Sequence, residues 1–217
     1  MIPFHEHEPG WKDWLRNRLA SDLPGERAHD PLRAVPIYEQ RLRFTFDTPP
    51  KPGAVLLLLC GNPDDLWFPL IKRTETGGVH SGQISFPGGR TEAGEVAVET
   101  ALREAEEEIG IDKTEVEVIG QLSSFHVIPS HYLVDPIVGV WKGSAEPIFH
   151  PDSREVASVF RASVRELVAD EAIRQSEITV RGHRIQAPHF TLHGEMVWGA
   201  TAMMLNEFRA LLRKELT

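Results

Sequence analysis

One stretch constrains this chain more than any other: residues 89 to 111. By position it reads G-x5-E-x7-R-E-U-x-E-E-x-G-U, with U apolar. Its fixed positions are Gly89, Glu95, Arg103, Glu104, Ala105, Glu107, Glu108, Gly110 and Ile111. Seven of them demand one residue type, and ordinary residue usage makes such a match about a 10⁻⁶ event over the whole chain. A solvated acidic helix, the usual meaning of a glutamate run, does not account for it. At about 100° per residue, Val98, Ala101, Leu102, Ala105 and Ile109 fall on one narrow core-facing stripe. Glu108 then lies roughly 80° from that stripe, Glu104 about 120° and Glu107 about 180°. These three carboxylates share a flank at spacings i, i+3 and i+4, where side chains are neighbours. Glu99 and Glu106 fall on the other flank and read as solvated bystanders.

Crowded carboxylates repel, and some of their pKa values rise. A divalent cation removes the penalty. Magnesium takes oxygen ligands, keeps several waters and shares itself with substrate phosphates. Glu104, Glu107 and Glu108 are therefore the expected ligands of Mg2+ or Mn2+. Arg103 stands four residues before Glu107 and can brace it. Gly110 is placed to stop the helix, and Gly88 and Gly89 free the entering loop to approach phosphate closely.

The box resembles that of the Nudix hydrolases over its full length. The resemblance implies an α/β fold, a Nudix-type α/β/α sandwich with a mixed β-sheet. It also implies magnesium- or manganese-dependent hydrolysis of a diphosphate and a Glu95 that lies near Arg103. Bound metal would offset charge on the diphosphate and acidify the attacking water. Arg103 belongs to the implied catalytic set, and one of Glu104, Glu107 or Glu155 would act as base. Glu155 enters because some Nudix enzymes draw a base or ligand from a comparable late loop. The segment before the box carries Arg73, His80, Gly82, Gln83 and Phe86-Pro87-Gly88-Gly89. It resembles the coenzyme A pyrophosphatase branch, as do Pro129 to Gly139 and Val197 to Ala202, so the likeness covers about residues 54–212. It implies substrate binding by Arg73, His80, Gln83, Gly88 and Gly89, with coenzyme A cleaved to 4′-phosphopantetheine and adenosine 3′,5′-bisphosphate. Two positions depart from the branch: Gly78 where it has a second arginine, and Thr74 where it has Ser or Ala. Gly78 keeps ADP-ribose, NADH and nucleoside triphosphates open as substrates. A non-catalytic nucleotide-sensing module is the reading from another class, but such a module would be expected to lose box glutamates, and all are present.

The acidity is local. Segment 88–111 holds seven glutamates against two arginines, so it supplies −5 of the chain's net −9. A small-molecule nucleotide diphosphate is the expected partner. Nonspecific nucleic-acid binding is not, because phosphate backbones need a basic face. The single cysteine, Cys60, excludes an internal disulfide and reads as a buried small residue in the apolar run 54–60. No basic leader or membrane-length run is seen, so a cytoplasmic protein with no membrane partner is expected. A homodimer is left open. The histidines at 126, 131, 183, 189 and 193 match no ligand pattern and read as ordinary hydrogen-bonding groups.

Residues 1–50 read as an N-terminal extension with a helix over 11–23, a loop over 24–40 and a strand through Leu42, Phe44 and Phe46. A break over 48–53 opens the main domain, 51–217. Strands are expected at 54–59, 66–73, 116–125, 134–141 and 156–161, with a hairpin around Gly182. Helices are expected at 94–108 and 163–168. A last helix should bury Val197, Thr201, Met204, Phe208 and Leu211.

Overall fold

Residues 51–60 make the spine of the molecule, because their side chains alternate between two cores. The computed structural model describes residues 10–37, 44–75, 81–180 and 182–213. In chain order its elements are α1 (Trp11–Leu19), α2 (Glu26–His29), β1 (Val35–Pro36), β2 (Lys51–Leu59), β3 (Trp67–Arg73), β4 (Ile84–Ser85), β5 (Gly88–Arg90) and α3 (Ala97–Ile109). Then come β6 (Val116–Gln121), β7 (Phe125–Val127), β8 (Tyr132–Trp141), β9 (Val156–Ser163), α4 (Val164–Val168), β10 (Ile173–Val180), β11 (His183–Leu192), β12 (Glu195–Trp198) and α5 (Gly199–Arg213).

One sheet has the order β5-β2-β8-β6, with β7 also on β8. β2 and β8 run parallel while β5, β6 and β7 are antiparallel to their neighbours, so the sheet is mixed. Ala54, Leu56, Leu58 and Cys60 face α3 and pack on Ala101, Ala105 and Ile109. Leu57 and Leu59 face the other way, into a core with Leu15 and Leu19 of α1 and Met204, Phe208 and Leu211 of α5. A run apolar at every position is what a strand covered on both faces requires. The layering is α/β/α. Two smaller sheets complete the fold: β4-β3-β9, and β1-β11-β10 with β12 on β11.

Several elements differ from the sequence-based expectation. The expected loop 24–40 contains α2 and β1. Leu42 lies outside the described residues, and Phe44 and Phe46 are not in a strand. The sheet begins at Lys51, inside the expected break. β3 does not pair along β2: one isolated bridge, from Cys60 just past β2 to Trp67, joins them, and β3 then pairs with β9. The strand expected over 116–125 is interrupted at 122–124, and the Gly182 hairpin is longer than expected. Val197 belongs to β12, and α5 starts two residues later, at Gly199. Among the described residues no helix is long and apolar enough to cross a membrane.

Candidate active site

The box helix is α3, and both ends are fixed locally. Glu99 accepts a hydrogen bond from the Val96 N–H at 3.0 Å. It therefore ties down the helix start, which corrects its reading as a bystander. Glu106, on the same flank, is exposed and pairs with Lys113 at 2.8 Å. At the other end Gly110 takes the left-handed conformation (φ 70°) and its N–H donates to the Glu106 carbonyl at 2.9 Å. A side chain there would also meet His150.

Arg103 is the hub of the site. Its Nε and Nη2 donate to the two oxygens of Glu95 at 2.6 and 3.0 Å. Nη1 donates to Glu104 at 2.9 Å and to Glu107 at 3.1 Å, and Nη2 also reaches the Arg90 carbonyl at 3.0 Å. The expected contacts to Glu95 and Glu107 are present, and those to Glu104 and β5 are additional. The bidentate guanidinium holds the Glu95 carboxyl down at about 2. Thr100, buried on the next turn, adds a hydrogen bond to Glu95 at 3.0 Å. In the sequence its only signal is a lone threonine beside an apolar stripe.

Gly88 and Gly89 are needed for different reasons. A Cβ on Gly88 would strike the Ala54 carbonyl at 2.4 Å, so the loop can lie on β2 only without one. A Cβ on Gly89 would sit 2.5 Å from the Glu104 carboxylate, so its absence is what admits Glu104. The Gly88 N–H donates to Glu108 Oε2 at 2.8 Å. Arg73 Nη2 stands 3.1 Å from Glu108 Oε1 and 3.8 Å from Glu155 Oε2. The contact to Glu108 is an ion pair outside hydrogen-bonding geometry, so buried Oε1 accepts no hydrogen bond. Burial pushes Glu108 up to about 7, against the pull of Arg73. Burial also raises Glu104, opposed by Arg103 and helped by the charges of Glu107 and Glu155.

The loop bearing Glu155 is strapped to the end of α3. His150 N–H donates to the Ile109 carbonyl at 2.8 Å and Asp152 N–H to the Glu108 carbonyl at 3.0 Å. The Thr74 N–H bonds the Glu155 carbonyl at 2.9 Å, and the Arg73 N–H bonds the Gln83 carbonyl at 3.0 Å. Arg73, Gln83, Gly88, Gly89, Glu104, Glu108 and Glu155 are thus joined through one set of contacts. Glu107 is the outlier, its side chain 60% exposed and turned to Arg103. Among the described residues no three acidic, histidine or cysteine side chains form a ready metal cage, so Glu104, Glu107 and Glu108 are not gathered as one closed ligand set. One buried and one half-buried carboxylate, both of raised pKa and the buried one with an orphaned oxygen, nonetheless fit a hard divalent cation. His80 and Gly78 lie outside the described residues.

The NUDIX domain model matches residues 50–181. A Nudix hydrolase named NudL from Photorhabdus laumondii is 31% identical over 175 residues, covering 76% of this chain and 91% of its own. Nudix hydrolase 15, mitochondrial, from Arabidopsis thaliana is 38% identical over 165 residues, covering 72% of this chain but 56% of its own length, so the chain spans about half of that plant protein. The crystal structure of a Nudix hydrolase from M. smegmatis, RenU, shares the fold with a TM-score of 0.50 at 14% identity, covering 83% of this chain and 96% of that one. The chain belongs to the Nudix family and is a Nudix hydrolase.

Proposed function

We propose that this Nudix hydrolase cleaves the diphosphate of coenzyme A or its derivatives, giving 4′-phosphopantetheine and adenosine 3′,5′-bisphosphate. The observation that carries the reading is the junction of Arg73 and Gln83 with the carboxylate site. Two of the residues that mark the coenzyme A-type segment are bonded to each other through the backbone. Arg73 also contacts Glu108 directly. The residues that would recognise the substrate are therefore continuous with those that act on it.

Magnesium or manganese, held by Glu104 and Glu108 with Glu107 or Glu155, would supply positive charge for the diphosphate and a more acidic attacking water. The protein's own share is positioning. Arg103 holds Glu95, Glu104 and Glu107 through one guanidinium. Glu108 holds the Gly88 N–H and keeps the Gly88–Gly89 backbone at the site. One of Glu104, Glu107 or Glu155 takes the proton of water as its oxygen attacks phosphorus in line and the anhydride P–O bond breaks. The proton then ends on the departing phosphate.

The test is a panel of coenzyme A, acyl-coenzyme A, ADP-ribose, NADH and nucleoside triphosphates with magnesium or manganese, products resolved by mass. Release of 4′-phosphopantetheine is the expected result. Gly78 favours the second reading, because it leaves the segment without the branch's second arginine. Cleavage of ADP-ribose but not coenzyme A would establish that alternative.

A further inference from the structure

Just before the matched domain, outside residues 50–181, two phenylalanines stand on the surface. Phe44 is 42% exposed and Phe46 40%. Single exposed apolar residues are ordinary, but two adjoining rings make a contiguous apolar patch, which is the kind of surface that meets a ligand. Phe44 lies 6.3 Å from Phe46 with planes 13° apart, and Phe46 lies 3.6 Å from the His131 ring with planes 3° apart. His131 is held from behind: its Nε2 bonds the Thr48 carbonyl at 2.7 Å and its Nδ1 meets His126 Nε2 at 3.1 Å. The rings thus form a short ladder of nearly parallel planes.

Strand register places His126, which holds the ladder's His131, near the carboxylates. His126 pairs with Leu133, so the two share a face of the sheet. Leu133 lies two residues before Asp135, which pairs with Ala54, and Ala54 pairs with Gly89. Ala54 faces α3, and Gly89 is the residue against which Glu104 rests. His126 and Leu133 are therefore on the α3 face, one step along the sheet from the Gly89–Glu104 contact. The Lys51 N–H donates to the His131 carbonyl, and Lys51 to Ala54 is about 10 Å along β2. A nucleotide with a phosphate at the carboxylates can bring its base across such a span.

We propose that Phe44 and Phe46, backed by the stacked ring of His131, form a stacking seat for the heteroaromatic base of the nucleotide. The inference rests on the proposed nucleotide-cleaving function and adds a specificity element to it. Flat, parallel, partly exposed rings match a flat aromatic ligand, since every base offers a π-face. The seat selects for a base and is tolerant of which base.

AMP and ribose 5-phosphate test it by titration calorimetry with magnesium, since neither carries an anhydride to cleave. Wild type is expected to bind AMP on the order of tenfold more tightly than ribose 5-phosphate. Phe46→Leu, which keeps apolar volume, and Phe44→Ala should each erase most of that preference, and Phe46→Tyr should retain it. Equal binding of the two ligands by wild type, or an unchanged preference in both Phe46→Leu and Phe44→Ala, overturns the seat. The two proposals fail separately. If coenzyme A is not cleaved but the AMP preference falls in the variants, the substrate reading fails and the seat stands. If coenzyme A is cleaved with unchanged KM in the variants, the seat fails and the substrate reading stands.

Discussion

Glu108 and Glu207 are both helix carboxylates closed off from water, with side chains 3% and 0% exposed, yet their surroundings are opposite. Glu207 on α5 accepts from His29 Nε2 at 2.9 Å, Ser123 Oγ at 2.6 Å and the Gly25 N–H at 3.0 Å. Burial works to raise its pKa, but these bonds outweigh it and the net shift is downward. Glu108 has one hydrogen bond, an imperfect ion pair with Arg73 and an orphaned oxygen. Its pKa is pushed up to about 7. A buried carboxylate fully satisfied by the protein ties elements together: here α2, α5 and the turn before β7. One left wanting a cation marks a site whose missing partner arrives from outside.

Replacing each carboxylate breaks the comparison most directly. Glu108→Gln should lower turnover at least about a hundredfold, roughly 3 kcal/mol of transition-state stabilisation. Its melting temperature in chelator should equal or exceed wild type, because a neutral amide spares a desolvated charge. Glu207→Ala should do the reverse. It strips His29, Ser123 and Gly25 of their acceptor, costs about 3 kcal/mol and lowers Tm by roughly 10 °C. Turnover per folded molecule should stay near wild type. Calorimetry and steady-state kinetics on the two variants decide it. Equal Tm losses in chelator would mean that Glu108 is a structural carboxylate like Glu207.

Acid titration sharpens the same contrast, with a smaller effect. An unfolded glutamate titrates near about 4.3. Glu207, depressed in the fold, stabilises the protein above that value, and the stabilisation is lost as pH falls through its folded pKa. Glu108, raised in the fold, has the opposite sign. Its buried charge penalises the native state above about 7, and the penalty is relieved as pH falls from there toward the unfolded value. Metal-free wild type should therefore gain stability between about pH 8 and pH 5, by on the order of 2 kcal/mol, then lose it below about pH 4. Glu108→Gln should lack the gain and keep the loss. Saturating magnesium should flatten the gain in wild type. A metal-free melting curve that is flat from pH 8 to 5 would remove Glu108 from its role.

The two carboxylates also differed in how far the sequence exposed them. Glu108 sits in a dense box whose helical geometry separates Glu104, Glu107 and Glu108 and makes Glu107 the outermost, as its exposure shows. Glu207 gives one faint sign: Asn206 and Glu207 are adjacent polar residues inside a mostly apolar helix, and both are buried. Their partners lie far off in sequence, His29 and the Ala28 carbonyl. The segment holding those partners reads as a loop because proline and charge hide a one-turn helix. Glu99 reads as a bystander for a related reason. Periodicity reports which way a side chain points, and the Val96 N–H it serves belongs to the helix end, where the orphan donors lie. Strand pairing was the least legible. Apolar runs located β2, β3 and β8, but nothing in β3 shows that its partner is β9.

The smallest expected effect links the two regions, because α5 serves both. Glu207 holds the N-terminal segment from the middle of that helix. Six residues nearer its start, Thr201 Oγ1 donates to the Ile84 carbonyl at 3.0 Å in a buried contact. Ile84 follows Gln83, whose carbonyl takes the Arg73 N–H, so this bond steadies the loop leading to Gly88 and Gly89. Thr201→Val preserves shape but removes the donor and leaves a buried carbonyl unpaired, at a cost of about 1 kcal/mol. Tm should fall by roughly 2–4 °C, and KM for the cleaved substrate should rise while Thr201→Ser restores it. A Tm loss with unchanged KM would confine α5 to the structural side of the comparison. A KM rise rescued by serine would show that the helix holding the satisfied carboxylate also aims the loop at the unsatisfied one.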